Sequence, residues 1–134
     1  MDLDQYVKLS IEEDVKNGDH STLSCIPENK IGSAELLIKE SGIIAGIEIA
    51  KSIFKTFDKN IIFKPILKDG QEVKNGDVAF EVSGSSQSIL TIERLVLNVM
   101  QRMSAISTLT KKYVKEIDGL KTKILDTRKT TPLN

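Results

Sequence analysis

The side chains best suited to chemistry in this sequence are cations and hydroxyls. Arg94 and Asn98 stand four residues apart and Gln101 and Arg102 follow one turn on, so a helix would bring them to one face. That face is either a wet polar side or an anion clamp, for which arginine's planar fork suits a carboxylate or phosphate. The second grouping is Thr127-Arg128-Lys129-Thr130-Thr131, two adjacent cations among hydroxyls with Pro132 just beyond. At the end of a strand these donors would lie where α/β folds bind ligands; at a chain end they are a solvated basic tail. His20 stands in a turn without an orienting partner, and Cys25 beside Ile26 reads as a small buried apolar residue. No Ser or Cys nucleophile is paired with a base.

The composition narrows the classes. In 134 residues, 19 Lys and Arg balance 19 Asp and Glu, which argues against a general nucleic-acid binder. One Cys and one His exclude a disulfide framework and a Cys/His zinc cluster built by this chain alone. No apolar run approaches the roughly 20 residues of a membrane span, and the acidic start is unlike a signal peptide, so a cytoplasmic location is expected. The neutral balance hides an asymmetry. Residues 1–20 carry six acids and two lysines, whereas 111–134 carry seven bases and three acids.

The elements that must position these groups follow from periodicity. Residues 3–15 place Leu3, Val7, Ser10 and Ile11 on one helical stripe that Asn17-Gly18 ends, and 18–22 and 27–29 read as turns. Ser33 to Lys39 alternates as a strand, with Ala34, Leu36 and Ile38 on one side, and Ser41-Gly42 breaks it. Ile47, Ala50, Ile53, Phe54 and Phe57 set a helical stripe. Residues 61–67 are β-rich with Pro65 confining them to an edge or a bend. Asp69-Gly70 and Asn75-Gly76 are turns around Glu72-Val73, and Val78, Phe80 and Val82 alternate in another strand. Ser86 or Ser88 can cap a long helix over 89–117, striped by Ile89, Ile92, Val96, Val99, Met103, Ile106, Tyr113 and Ile117. That rod is about 43 Å long at ~1.5 Å per residue, long enough to bridge two units or to pack on a partner. A last short strand is expected over Thr122–Asp126. The fold class expected is α+β: an open-faced α/β sandwich over 1–110, then a helix end and strand over 111–134.

Taken together, these segments resemble quinolinate phosphoribosyltransferase, the carboxylating nicotinate-nucleotide pyrophosphorylase, in its N-terminal portion. The pieces that carry the likeness are Glu13-Asp14 with Gly18-Asp19, Ser41-Gly42-Ile43-Ile44-Ala45-Gly46, Asp69-Gly70 and Gly76-Asp77. Glu93-Arg94-Leu95-Val96-Leu97-Asn98, Ser104 to Tyr113 and Asp126-Thr127-Arg128-Lys129-Thr130-Thr131-Pro132 complete it. They occur in the family's order across essentially the whole chain, and the E-R-x-x-L-N and D-T-R-K-T-T-P strings are the specific ones. Ala105 stands where the family usually has Gly, and Leu133-Asn134 departs from its usual ending.

The resemblance implies a two-domain enzyme in which this sandwich and long helix lead into the first strand of an α/β barrel. It implies transfer of phosphoribosyl from phosphoribosyl pyrophosphate to quinolinate with Mg²⁺, giving nicotinate mononucleotide, CO₂ and diphosphate. It implies a homodimer, with a hexamer left open, in which Arg94 reaches the neighbouring subunit's site and contacts quinolinate. Arg128 would grip a quinolinate carboxylate and Lys129 would serve catalysis near the phosphoribosyl and diphosphate groups, with Thr127 beside them. Metal ligands are not expected within this chain. Fixed cations suit the task, because a dicarboxylate and a phosphorylated sugar must be brought together.

Three other readings compete. One is a non-catalytic dimerisation or interaction domain, and one a related transferase, molybdenum-associated homologues included, with another substrate. A biotinyl or lipoyl carrier is a weaker third, since its lysine hairpin is missing and helices are foreign to it. On the leading reading the 134-residue polypeptide alone does not complete the reaction. Formation of nicotinate mononucleotide by the purified chain, followed by chromatography, would overturn that expectation.

Overall fold

The computed structural model describes residues 2–127. Helix α1 (Leu3–Val15) starts where the Asp2 carboxylate accepts from the Gln5 amide at 2.8 Å. A short helix α2 (His20–Cys25) follows. Strand β1 (Ile31–Leu37), strand β2 (Gly42–Ile43) and helix α3 (Ile47–Phe57) come next. Then come β3 (Ile62–Pro65), β4 (Glu72–Val73), β5 (Val78–Ser85) and the long helix α4 (Ser86–Glu116).

The main sheet is antiparallel in the order β1-β5-β3, and β2 and β4 form a separate antiparallel pair. Pro65 ends β3 opposite Phe80, on the edge strand, where its missing N–H costs no central ladder bond. One face of the sheet is covered by α3 and α4, and α1 lies across those two helices as an outer layer. Alternation puts Phe63 of β3 and Phe80 of β5 on the covered face, with ring centroids 4.5 Å apart, and Phe54 of α3 closes the cluster from above. Ile47, Ala50, Ile53, Ile92 and Val96 fill the remaining core. The architecture is the expected mixed α/β sandwich with helices on one sheet face.

Several local expectations are corrected. Residues 18–22 are not simply a turn: Asp19 caps α2, its carboxylate accepting from the Thr22 amide at 3.1 Å. Six residues are too few for periodicity to reveal a helix. The break at Ser41-Gly42 is the start of β2, which Val73 and Glu72 pair. Strand β1 begins two residues before the expected Ser33; Leu36 and Ile38 turn inward as the alternation requires, while Ala34, paired with Val82, stays exposed, and a bulge interrupts the register between Glu35 and Leu37. Neither Ser86 nor Ser88 caps α4. Ser85 does, accepting from the Ser88 amide at 3.3 Å, while the Ser88 hydroxyl donates to Asp58 at the end of α3. Cys25, at the last position of α2, is exposed.

The stripe of α4 also divides. Ile89, Ile92, Leu95, Val96 and Met100 are buried, but Ile106 and Tyr113 are about 60% and 59% exposed. The sandwich covers only the first half of a helix about 46 Å long. The strand expected over Thr122–Asp126 is not formed, since residues 122–127 carry no regular element and no ladder partner stands beside them among the described residues. Leu125 is accordingly exposed.

This division predicts unequal costs along one helix. Ile92→Ala should lose about 2–5 kcal/mol, and Ile106→Ala should stay within ~0.5 kcal/mol in the 134-residue chain. Denaturant midpoints at constant slope measure both, and equal losses would contradict the division.

Candidate functional site

Arg94 sits in the third turn of α4, one residue before buried Leu95, so the core fixes its backbone while its side chain leaves the protein. The guanidinium reaches the C-terminal end of α1. Its Nε–H donates to Asp14 Oδ1 at 3.0 Å, its Nη2 lies 2.9 Å from the same oxygen, and Nη2 also donates to the Asp14 carbonyl at 3.1 Å. That carbonyl is in the last turn of α1, where helical partners run out and the dipole is negative. α1 has no basic residue in its own last turn, so Arg94 supplies that cation from another element. Asp14 is held close, with its side chain 17% exposed, whereas Arg94 is 68% exposed.

A second carboxylate feels the same guanidinium. Asp19 is held below the ordinary carboxylate range, first by the Thr22 hydroxyl, which donates to Oδ2 at 2.5 Å, and also by the Thr22 amide and by the charge of Arg94. Glu13-Asp14 and Gly18-Asp19 were thus informative pieces of sequence whose physical partner, 80 residues away from Asp14, could not be read from spacing.

On another side of α4 the loop from Gly42 to Ile47 is tied down by hydroxyls. The Ile43 amide donates to Thr108 Oγ1 at 2.8 Å, and the Ala45 amide to Ser104 Oγ at 3.0 Å. Gly42 permits this approach: a Cβ there would stand 2.6 Å from Thr108 Oγ1. Gly46 has φ +102° and offers no side chain to cap α3, so Asp69 caps it from afar, accepting from the Ile47 amide at 2.8 Å. Between this loop and α4 lies a cleft of about 590 Å³, lined by Leu36, Ile38, Leu97, Gln101 and Leu109 among others. Lys111 pairs with Glu72 at 2.5 Å near its far end and holds that carboxyl below its ordinary range.

The polar face expected of α4 is therefore split. Arg94 faces α1, Asn98 and Arg102 follow it in exposed positions, and Gln101 belongs to the cleft lining. Thr127 is exposed just beyond the loop after α4. Arg128 and Lys129 lie outside the described residues. Exposed His20, at the first position of α2, contributes no carboxylate or metal pairing seen here. Among the described residues no three of His, Cys, Asp and Glu converge into a metal site, and no helix is long and apolar enough to cross a membrane. Asp14, Asp69, Ser104 and Thr108 are the contributors that spacing did not single out as site-forming.

Fold and site define a mixed α/β module that presents an oriented cation on a long helix. Residues 19–104 match the family model described as "Quinolinate phosphoribosyl transferase, N-terminal domain", and the chain belongs to that family. A probable nicotinate-nucleotide pyrophosphorylase [carboxylating] of Synechocystis is 36% identical over 130 residues, 97% of this chain and 44% of that protein. The mitochondrial quinolinate phosphoribosyltransferase [decarboxylating] 2b of Nicotiana tabacum is 41% identical over 132 residues, 98% of this chain and 37% of that protein. The crystal structure of NadC from Streptococcus pyogenes superposes with a TM-score of 0.92 at 36% identity, covering 97% of this chain and 46% of that one. The chain thus spans less than half the length of these relatives.

The Asp19 contacts carry a pH consequence. A carboxyl held low in the folded state adds stability above its unfolded value near 3.8, and that stability is lost as pH falls through the folded value. Carboxyl-carbon NMR should show Asp19 titrating below that value, with Thr22→Val moving it upward. A titration unchanged by Thr22→Val would refute the assignment.

Proposed function

We propose that this chain is the N-terminal part of a quinolinate phosphoribosyltransferase. The enzyme transfers phosphoribosyl from phosphoribosyl pyrophosphate to quinolinate and releases diphosphate and CO₂, giving nicotinate mononucleotide. A bond forms from the pyridine nitrogen to the ribosyl carbon as the bond to diphosphate breaks. Loss of one ring carboxylate as CO₂ leaves an electron pair that takes a proton. The observation that carries the reading is the family match together with Arg94, anchored on rigid α4 and projecting its charge outward.

In this reading Arg94 serves the active site of a second copy of the chain, in a homodimer, where it contacts a quinolinate carboxylate. The Arg94 guanidinium stands at the surface with its side chain 68% exposed, as a group offered to a partner must. Arg128 takes a carboxylate and Lys129 lies at the phosphoribosyl and diphosphate groups, with Thr127 beside them, at the end of the first strand of an α/β barrel. The domain boundary falls near residue 110, past the last buried position of α4. Charge-assisted bonds of this kind contribute about 1.5–3 kcal/mol each. Mg²⁺ offsets phosphate charge in such chemistry, but the described residues offer it no fitting set of ligands. A cytoplasmic location is part of this reading, and among the described residues no helix is long and apolar enough to cross a membrane.

The test is Arg94→Ala in the full-length enzyme. Quinolinate turnover should fall by about 10- to 100-fold, the equivalent of one such bond. Mixing this variant with Arg128→Ala subunits should restore part of the activity, because mixed dimers contain one site with neither substitution. Turnover unaffected by Arg94→Ala would leave the module as a non-catalytic interaction domain.

A further inference from the structure

Arginine carries five N–H donors in one plane, and how many of them face a ligand depends on what holds the rest. Here the Nε edge is committed. Nε–H and Nη2 grip Oδ1 and the main-chain oxygen of Asp14, so the plane is fixed at two acceptors that are themselves fixed, one in the last turn of α1 and one on a mostly buried side chain. The two hydrogens of Nη1 have no acceptor among the described residues. The side chain remains 68% exposed despite its contacts.

The pair is poorly arranged if stability is its purpose. An ion pair with so exposed a cation contributes little, and the other carboxylate oxygen, Asp14 Oδ2, is buried without a hydrogen-bond partner. What the arrangement does provide is direction. A free arginine on a helix surface samples many rotamers and loses that freedom when it binds; one already clamped has less to lose.

We propose that Asp14 is a positioning residue for Arg94, holding the Nε edge of the guanidinium on the end of α1 so that the Nη1 side is presented to a substrate carboxylate. The proposal rests on the reading of Arg94 given above. Asp14 itself touches no substrate. Its own charge opposes the approach of an anion, so its benefit is geometric and must exceed that repulsion. An acceptor oxygen at this position is what matters, more than its charge.

Steady-state kinetics of the full-length enzyme, varying each substrate, test this. Asp14→Ala should raise KM for quinolinate about tenfold while KM for phosphoribosyl pyrophosphate stays put, since only the carboxylate contact loses its orientation. Asp14→Asn keeps an oxygen for Nε–H and should recover most of the loss. The double variant Asp14→Ala, Arg94→Ala should be no worse than Arg94→Ala alone, because the first side chain acts through the second. In the 134-residue chain, the Arg94 Nε–H resonance should be protected from exchange and lose that protection in Asp14→Ala. Equal rises in both KM values, no rescue by Asn, or an unprotected Nε–H in the unsubstituted chain would overturn the proposal. An Asp14→Ala variant with unchanged quinolinate KM, beside an impaired Arg94→Ala, overturns it while leaving the proposed function intact. If Arg94→Ala itself is without effect, the functional reading falls first. Should Asp14→Ala not fold, the Asn variant decides: a quinolinate KM raised as much as in Arg94→Ala contradicts the geometric role.

Discussion

One helix both closes the core and carries the site. The three-stranded sheet has a single covered face, and the first half of α4 is its central cover, with Ile92 and Val96 almost wholly withdrawn from solvent. Interiors packed at this density do not let a helix slide or rotate without opening voids. The backbone of Arg94, two residues from Ile92 and Val96, is therefore as rigid as the core. Whatever the guanidinium meets, it meets from a fixed base.

The same helix then leaves the domain that anchors it. Past Met100 its contacts become polar and specific: Ser104 and Thr108 bind amides of the Gly42–Ile47 loop, and Lys111 meets Glu72. The bonds from Ser104 and Thr108 satisfy loop amides that would otherwise be unpaired beside a hydrophobic core, and the one to Thr108 needs the missing Cβ of Gly42 opposite it. Asp69 completes the set by capping α3 across 22 residues. The loop, α3 and α4 thus hold one another, and the apolar residues further along α4 stay exposed.

Where sequence reasoning worked and where it failed has a common physical basis. Elements that bury one face over several turns declare themselves by periodicity, and α1, α3, β5 and α4 were all legible. The buried positions of α3 are four of the five named from its stripe. Short or irregular elements did not declare themselves. α2 depends on a single cap, and β2 on a partner 29 residues away. Cys25 was misplaced for a related reason: residue type gives an average burial, while its neighbours in space decide the actual one.

By itself the amino-acid sequence determined the amphipathic faces, the edge role of Pro65, the length of α4 and the motifs that resemble one enzyme family. These are local properties, set by side-chain spacing and backbone chemistry within a few residues of one another. Only the tertiary structure decided that Arg94 meets Asp14 and the end of α1, that Gln101 parts from Arg94 to line a cleft, and that the exposed stripe of α4 begins past Met100. Each of those depends on how helices cross and which sheet face they cover. Such choices are made by the packing of surfaces from distant segments, and no single stretch of chain encodes them.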